Sequence, residues 1–287
     1  LYALKERQGA TVKIDAHQHF WHYTSQEYSW IGPDMAVLRR DHLPVDLAPL
    51  LESTGIDGTI AVQARQTLEE TQWLLELADQ SSFIKGVVGW VDLRGAETRQ
   101  QLKRFSLHPK FRGVRHVVQD EPDDQFMLRE DFIRGLGMLA EYNLTYDILI
   151  FPRHLPVACE LVEKFPGQPF VLDHIAKPFI KDGRVSPWDT HIRRLAAYSN
   201  VWCKVSGMIT EASWRQWQPL DFRPYLDVVF EVFGPHRIMF GSDWPVCTLA
   251  GMYADVAGIV SDYTQRLSAE EQAGVWGGTA RKFYGLE

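Results

Sequence analysis

Two histidines two residues apart, His17 and His19 in Ile14-Asp15-Ala16-His17-Gln18-His19-Phe20, lie on a short apolar run with strand character. Side chains alternate along a strand, so both imidazoles project from one face. Two imidazoles converging on one side of a buried strand suit metal ligation, carbonyl polarisation or proton transfer. Packing alone is the competing reading, and other polar residues decide between them. Those residues are His174, in Leu172-Asp173-His174-Ile175-Ala176-Lys177-Pro178, and Asp243, in Gly241-Ser242-Asp243-Trp244-Pro245.

Eight short runs must position these groups: Val12–Ala16, Thr59–Ala64, Lys85–Val91, Gly113–Val118, Thr145–Phe151, Phe170–Asp173, Val201–Val205 and Arg237–Phe240. Several are apolar without strict alternation, as parallel strands covered on both faces require. Helical patterns separate them. Thr67-Leu68-Glu69-Glu70 and Ser268-Ala269-Glu270-Glu271 read as capping boxes, and Leu226, Val229, Phe230 and Phe233 form one apolar stripe before Gly234-Pro235. Eight strands close a sheet whose interior side chains can just fill it, so the expectation is an α/β chain forming a single (β/α)8 TIM barrel. In that fold chemistry sits at the C-terminal strand ends. His17, His19, Gln63, Arg65, Trp90, Arg115, His116, His174, Lys177 and Asp243 all fall there, and Asp147 lies in the fifth run.

The barrel is expected over residues 12–287, with residues 1–11 as an N-terminal extension. The 287 residues are 45% hydrophobic, and no linker, composition shift or repeat divides them. Net charge is −7 with the two signs intermixed, which argues against nucleic acid or an anionic membrane as partner. Cys159, Cys203 and Cys247 form no CxxC pair, and Leu1–Ala10 lacks the apolar core of a signal peptide. These features lead to the expectation of a cytoplasmic protein acting on a small molecule.

The HxH, the Asp173-His174 pair and the Gly241-Ser242-Asp243-Trp244-Pro245 motif, on runs one, six and eight, resemble the amidohydrolase superfamily. Val62-Gln63-Ala64-Arg65-Gln66 and Gly113-Val114-Arg115-His116 narrow the resemblance to sugar-lactone hydrolases of its amidohydrolase-2 branch, which act on L-fucono- or L-rhamnono-lactones. The resemblance implies that His17, His19, His174 and Asp243 line the reaction centre. Metal-dependent members usually carry a Lys or His ligand on strand five, whereas Thr145–Phe151 offers only Asp147, with His154 beyond it. No metal is therefore favoured; a zinc, if bound, would use His17, His19 and Asp243.

On this reading Asp243 is the general base, activating water and returning the proton to the departing alkoxide. His17, His19 and His174 polarise the carbonyl or orient Asp243. Arg115, His116 and Lys177 contact the oxyanion or hydroxyls, while Gln63, Arg65, Trp90 and Asp147 hydrogen-bond or stack on the sugar ring. Trp21 and Trp30, in the aromatic segment after strand one, form a stacking wall or lid. Asp173 beside His174 is expected to be structural, because adjacent strand residues face opposite ways, and His22, His42, His108, His191 and His236 are expected to be ordinary surface residues. The alternatives are a zinc-dependent hydrolase or decarboxylase of a carboxylated ring (a muconolactone or pyrone), with Arg65, Arg115, Arg153 and Lys177 neutralising carboxylates, and a non-catalytic sugar-binding barrel.

Overall fold

A computed structural model of the chain describes residues 11–286; residues 1–10, most of the segment read as an extension, lie outside the described residues. The strands are Ile14–Gln18 (β1), Gly58–Val62 (β2), Ile84–Gly89 (β3), Phe111–His116 (β4), Thr145–Ile148 (β5), Phe170–Leu172 (β6), Val201–Val205 (β7) and Ile238–Phe240 (β8). All neighbours pair in parallel and in sequence order. Just beyond β8 the ring closes on β1. The Asp243 amide donates to the His17 carbonyl at 2.8 Å, and the His19 amide donates to the Trp244 carbonyl at 2.7 Å. The chain is a single (β/α)8 barrel, as its run pattern led us to expect.

The outer helices are Pro44–Thr54 (α1), Leu68–Gln80 (α2), Thr98–Ser106 (α3), Glu130–Leu136 (α4), Leu155–Lys164 (α5), Trp188–Ala196 (α6), Pro219–Phe233 (α7) and Tyr253–Thr264 (α8). Ala269–Ala273 (α9) and Thr279–Tyr284 (α10) follow. Strand periodicity sorts the apolar residues into two layers. Ile14, Ala16, Ile60, Val62, Val88, Val171 and Met239 pack inside the barrel with Ala280, Phe283 and Tyr284 of α10. The alternating residues Ala61, Val87 and Val114 face outward into the helix layer. The C-terminal helix thus stops the barrel floor, leaving the opposite mouth open. Among the described residues, no helix is long and apolar enough to cross a membrane.

The Ser268 capping box is present, the Ser268 amide and the Glu271 carboxylate meeting at 2.8 Å. The Thr67 pattern is only half realised. The Glu70 amide donates to Thr67 Oγ1, but the Glu70 carboxylate turns away and accepts the Ala64 and Arg65 amides at 2.9 and 2.7 Å. Glu70 therefore fixes the loop leaving β2 instead of closing a box, because those two amides have no strand partner at the barrel mouth. Burial pushes its carboxyl from the ordinary 4.5 up to about 7, although the Arg65 and Ala64 amides oppose this.

The folded chain therefore holds this proton more tightly than the unfolded one. The stability it contributes is complete below about pH 4.5 and is lost as pH rises through about 7. At about 1.4 kcal/mol per pH unit, the wild type should lose about 3 kcal/mol relative to Glu70→Gln across that window. Urea unfolding of both proteins at the two ends of the window checks this; parallel pH dependences would contradict it.

Candidate active site

The mouth of the barrel contains a cavity of about 620 Å³, within the range of small-ligand sites. At its base the carboxylate of Asp243 meets three imidazoles. Asp243 Oδ1 lies 3.3 Å from His19 Nε2, and 3.9 Å from both His17 Nε2 and His174 Nε2. The His17 and His19 Nε2 atoms are 3.2 Å apart. His19 Nδ1 donates to the Val62 carbonyl at 2.8 Å, because a carbonyl can only accept, and this turns its Nε2 toward the centre. His174 Nδ1 is held by Ser206 Oγ at 2.9 Å.

Unusual backbone produces this convergence. Asp243 has φ +57°, and His174, Ile175, Ala176 and Lys177 have φ of +54°, +49°, +60° and +50°. A β-branched residue such as Ile175 rarely enters this region, and each such residue costs about 1–3 kcal/mol. Burial of Ile175 and Ala176 and the bond from Trp188 Nε1 to the Ile175 carbonyl, 2.7 Å, hold the turn in place. Here the alternation argument for Asp173 fails, although the residue is structural and does not line the cavity. Strand alternation ends at Leu172, so the turn brings Asp173 and His174 inward together.

Asp173 belongs to a buried ionic cluster beneath the cavity. Its Oδ2 accepts from Arg115 Nη1 at 3.0 Å, and its Oδ1 lies 3.0 Å from Lys204 Nζ and 3.3 Å from His17 Nδ1. Lys204 also donates to Asp147 Oδ2 at 2.5 Å and approaches His17 Nδ1 at 3.2 Å. Tyr284 of α10 donates to the same Asp147 oxygen at 2.8 Å. Burial holds the His17 and His174 imidazoles well below the ordinary 6.5, hence neutral at pH 7. Burial pushes the Asp243 carboxyl upward, but His174, His19 and Lys177 outweigh it and leave Asp243 below 3.8, hence ionised.

Of the sequence-selected residues, His19, Arg65, Arg115, His174, Lys177, Asp243, Trp21 and Trp30 line the cavity. His17 lies directly beneath, fully buried. Four proposed sugar contacts stand elsewhere. Gln63 donates to the Arg115 carbonyl at 3.3 Å, and Asp147 is committed to Lys204 and Tyr284. Trp90 Nε1 donates to His116 Nδ1 at 3.3 Å, while His116 Nε2 faces Glu121 Oε1 at 2.6 Å and its ring stacks on Phe126. Their strand-end positions are right, but their polar atoms serve protein partners. His42 is also not a surface residue: it is buried edge-on against the Trp21 and Trp244 rings, with centroids 5.1 and 5.3 Å away. His154 Nε2 faces Asp124 Oδ1 at 3.0 Å, so neither Asp147 nor His154 joins the central group from the strand-five side.

Sequence reasoning missed Lys204, Glu211 and Trp214. Lys204 had a signal, a lone charge inside the apolar run Val201-Trp202-Cys203-Lys204-Val205. Glu211 and Trp214 lie on the cavity wall in the loop after β7, where no periodicity marks them.

The donor set fits a cation. His17 Nε2, His19 Nε2 and an Asp243 oxygen are fully protein-anchored acceptors within 4.8 Å of one another. Ligands about 2.0–2.1 Å from a tetrahedral zinc are about 3.3 Å apart, close to the two shorter separations here. The bond from His19 to the Val62 carbonyl is the outer support such ligands commonly have.

An eight-stranded barrel with HxH after strand one, His after strand six and Asp after strand eight defines a class, and the amidohydrolase family pattern matches residues 14–286: the chain belongs to that family. Its curated relatives include an L-fucono-1,5-lactonase of Burkholderia multivorans, 43% identical over 96% of both chains. Another, an L-fucono-1,5-lactonase of Burkholderia ambifaria, is 37% identical over 96% of this chain and 97% of that one. A crystal structure of a Burkholderia multivorans amidohydrolase with bound zinc superposes with a TM-score of 0.93 at 43% identity, covering 96% of this chain and all of that one (100%).

Gly207 has φ +60°, and a Cβ there would meet His174 Nδ1 at 2.5 Å. Gly207→Ala should therefore displace the imidazole, cutting turnover roughly 100-fold and lowering stability by about 1–2 kcal/mol. Steady-state kinetics and thermal melts test this; wild-type kinetics would show that His174 need not hold its place.

Proposed function

We propose that this chain hydrolyses a sugar lactone to the open-chain aldonic acid, with L-fucono-1,5-lactone the first substrate to test. The observation that carries this reading is the ionised Asp243 carboxylate held among His17, His19 and His174 at the base of a ligand-sized cavity. Near-full-length identity to lactonases of that specificity supports it.

Asp243 accepts a proton from water as the water oxygen attacks the lactone carbonyl carbon. The oxyanion that forms needs donors already in place, and Lys177 on the cavity wall, the cation there with no carboxylate partner among the described residues, supplies positive charge. The C–O ring bond then breaks, and the proton held by Asp243 passes to the departing ring oxygen. Trp30 and Trp214, with the buried Trp21 behind Trp30, give an apolar wall on which a sugar ring can stack, while Arg65, Glu27 and Gln66 face its hydroxyls. His17, His19 and Asp243 are the residues that would hold a divalent cation, which when bound supplies Lewis-acid polarisation of the carbonyl.

Charge pairing favours a neutral lactone over a carboxylated ring. Arg115 is committed to Asp173, Arg65 to Glu27 and Glu70, and Arg153 to Asp124. Among the described residues, Lys177 is the one cavity-lining cation with no carboxylate oxygen within 4.0 Å. The three buried free cysteines fit a reducing compartment such as the cytoplasm.

A panel of L- and D-aldonolactones, assayed by proton release with and without chelator, tests the reading; no lactone turning over above its spontaneous rate would refute it. Asp243→Asn should lower kcat roughly 100- to 10,000-fold, the range expected for losing a general base. With Asp243 held below its ordinary 3.8, the wild-type rate should not fall on the acid side until pH drops below that value. An acid limb near neutrality would assign the base elsewhere.

A further inference from the structure

Most polar side chains on the cavity wall already have protein partners. Arg65 pairs with Glu27, and Arg115 donates to Asp173 Oδ2 at 3.0 Å. Gln66 Oε1 accepts the Val117 amide at 2.9 Å, and Thr210 Oγ1 donates to the Gly207 carbonyl at 2.9 Å. Outside the group around Asp243, four charged or amide side chains on the wall have no hydrogen-bond or ion-pair partner among the described residues: Gln119, Asp120, Lys177 and Glu211. They stand on the loops after β4, β6 and β7. On the side of β1 and β8, Met35, Val246 and Leu249 make the wall apolar. Lys177 serves the oxyanion, and Asp120 is exposed to bulk solvent, which leaves Gln119 and Glu211.

Both are half-buried and both have fixed backbones. The Gln119 amide donates to the Leu149 carbonyl at 3.2 Å, and its carbonyl accepts from Arg153 Nη2 at 3.4 Å. Glu211 closes the turn Ile209–Glu211, its amide donating to the Met208 carbonyl at 3.1 Å beside the buried Ile209 and Ala212. Gln119 Oε1 is buried without a donor, and an unpaired buried polar atom destabilises a fold. Burial pushes the Glu211 carboxyl above its ordinary 4.5, with Lys177 opposing and Asp243 adding to the effect. A ligand bearing hydroxyl groups offsets both costs. Glu211 accepts from a hydroxyl, and rotation about the last bond of Gln119 exchanges its amide ends, so it offers the cavity either an acceptor or a donor.

We propose that Gln119 and Glu211 are specificity-determining residues that hydrogen-bond the ring hydroxyls of the substrate, so that the cavity selects polyhydroxylated lactones over bare ones. The identity of that ring rests on the lactone reading above. A carboxylated ring without hydroxyls leaves both groups unpaired and is repelled by Glu211, so the same two residues act against it.

The comparison substrate is δ-valerolactone, a six-membered lactone with no hydroxyl. The ratio of kcat/KM for L-fucono-1,5-lactone to that for δ-valerolactone should fall at least about tenfold in Glu211→Ala and in Gln119→Leu, because a site built to bond a hydroxyl discriminates through that bond. A residue that only supports the fold would slow both substrates together, so an unchanged ratio in either variant would overturn the proposal. Binding of L-fucose, read from tryptophan fluorescence, needs no turnover and decides the matter if either lactone fails to react. It should be at least about tenfold weaker in both variants; wild-type affinity in either, or no binding by the wild type, would overturn the proposal equally. L-fucose binding that depends on both residues, with no lactone turned over, would refute the hydrolytic reading and uphold the hydroxyl contacts.

Discussion

The site depends on how Asp15 clasps β1 to the chain leaving β8. This fully buried carboxylate accepts the His17 amide at 3.0 Å, the Ser242 amide at 2.8 Å, Ser242 Oγ at 2.6 Å and the Tyr253 hydroxyl at 2.9 Å. Strand one, the loop after strand eight and α8 are thereby tied to one group. The two backbone bonds that close the barrel lie beside it, and so does the positive φ of Asp243. Together with the bond from the Asp243 amide to the His17 carbonyl, this clasp holds Asp243 in a left-handed conformation over His17 and His19. Gly241 completes the fit, since a Cβ there would meet His17 Cβ at 2.7 Å.

Beneath that clasp the barrel interior is ionic where a strand core is ordinarily apolar. Lys204 and Arg115 are matched by Asp147 and Asp173, with Tyr284 donating from the floor. Buried ion pairs of this kind contribute little net stability, because desolvation offsets their attraction. Their consequence is geometric: His17 has no freedom to rotate, and Arg115 is held from three sides, by Asp173, the Gln63 carbonyl and the His17 ring. Rigidity here and backbone strain at His174–Lys177 serve one end, a set of polar atoms organised before substrate arrives.

Much of this was legible in the sequence. Eight apolar runs predicted eight strands in order, and the strand-end rule singled out His17, His19, His174 and Asp243, which the folded chain brings together at the barrel mouth. The rule failed where it could not tell which partner a polar strand-end residue takes. Gln63, Trp90, His116 and Asp147 look alike in sequence to Arg65 and Lys177, yet their hydrogen bonds go to protein groups that only the closed barrel brings near. The orientation of Asp173 was not legible, because alternation was extended one residue past the end of β6, into a left-handed turn that no glycine announces. Glu211 and Trp214 lie on an irregular loop, where spacing carries no directional information.

The central claim is that Asp243 activates water and does not itself attack the lactone. A single-turnover reaction with enzyme in excess, run in oxygen-18 water on L-fucono-1,5-lactone, reads this out by mass spectrometry of the aldonate. Direct attack by water predicts one oxygen-18 in the product carboxylate from the first turnover, formed faster than spontaneous hydrolysis. Unlabelled first-turnover product, its new oxygen drawn from the Asp243 carboxylate, would contradict the account.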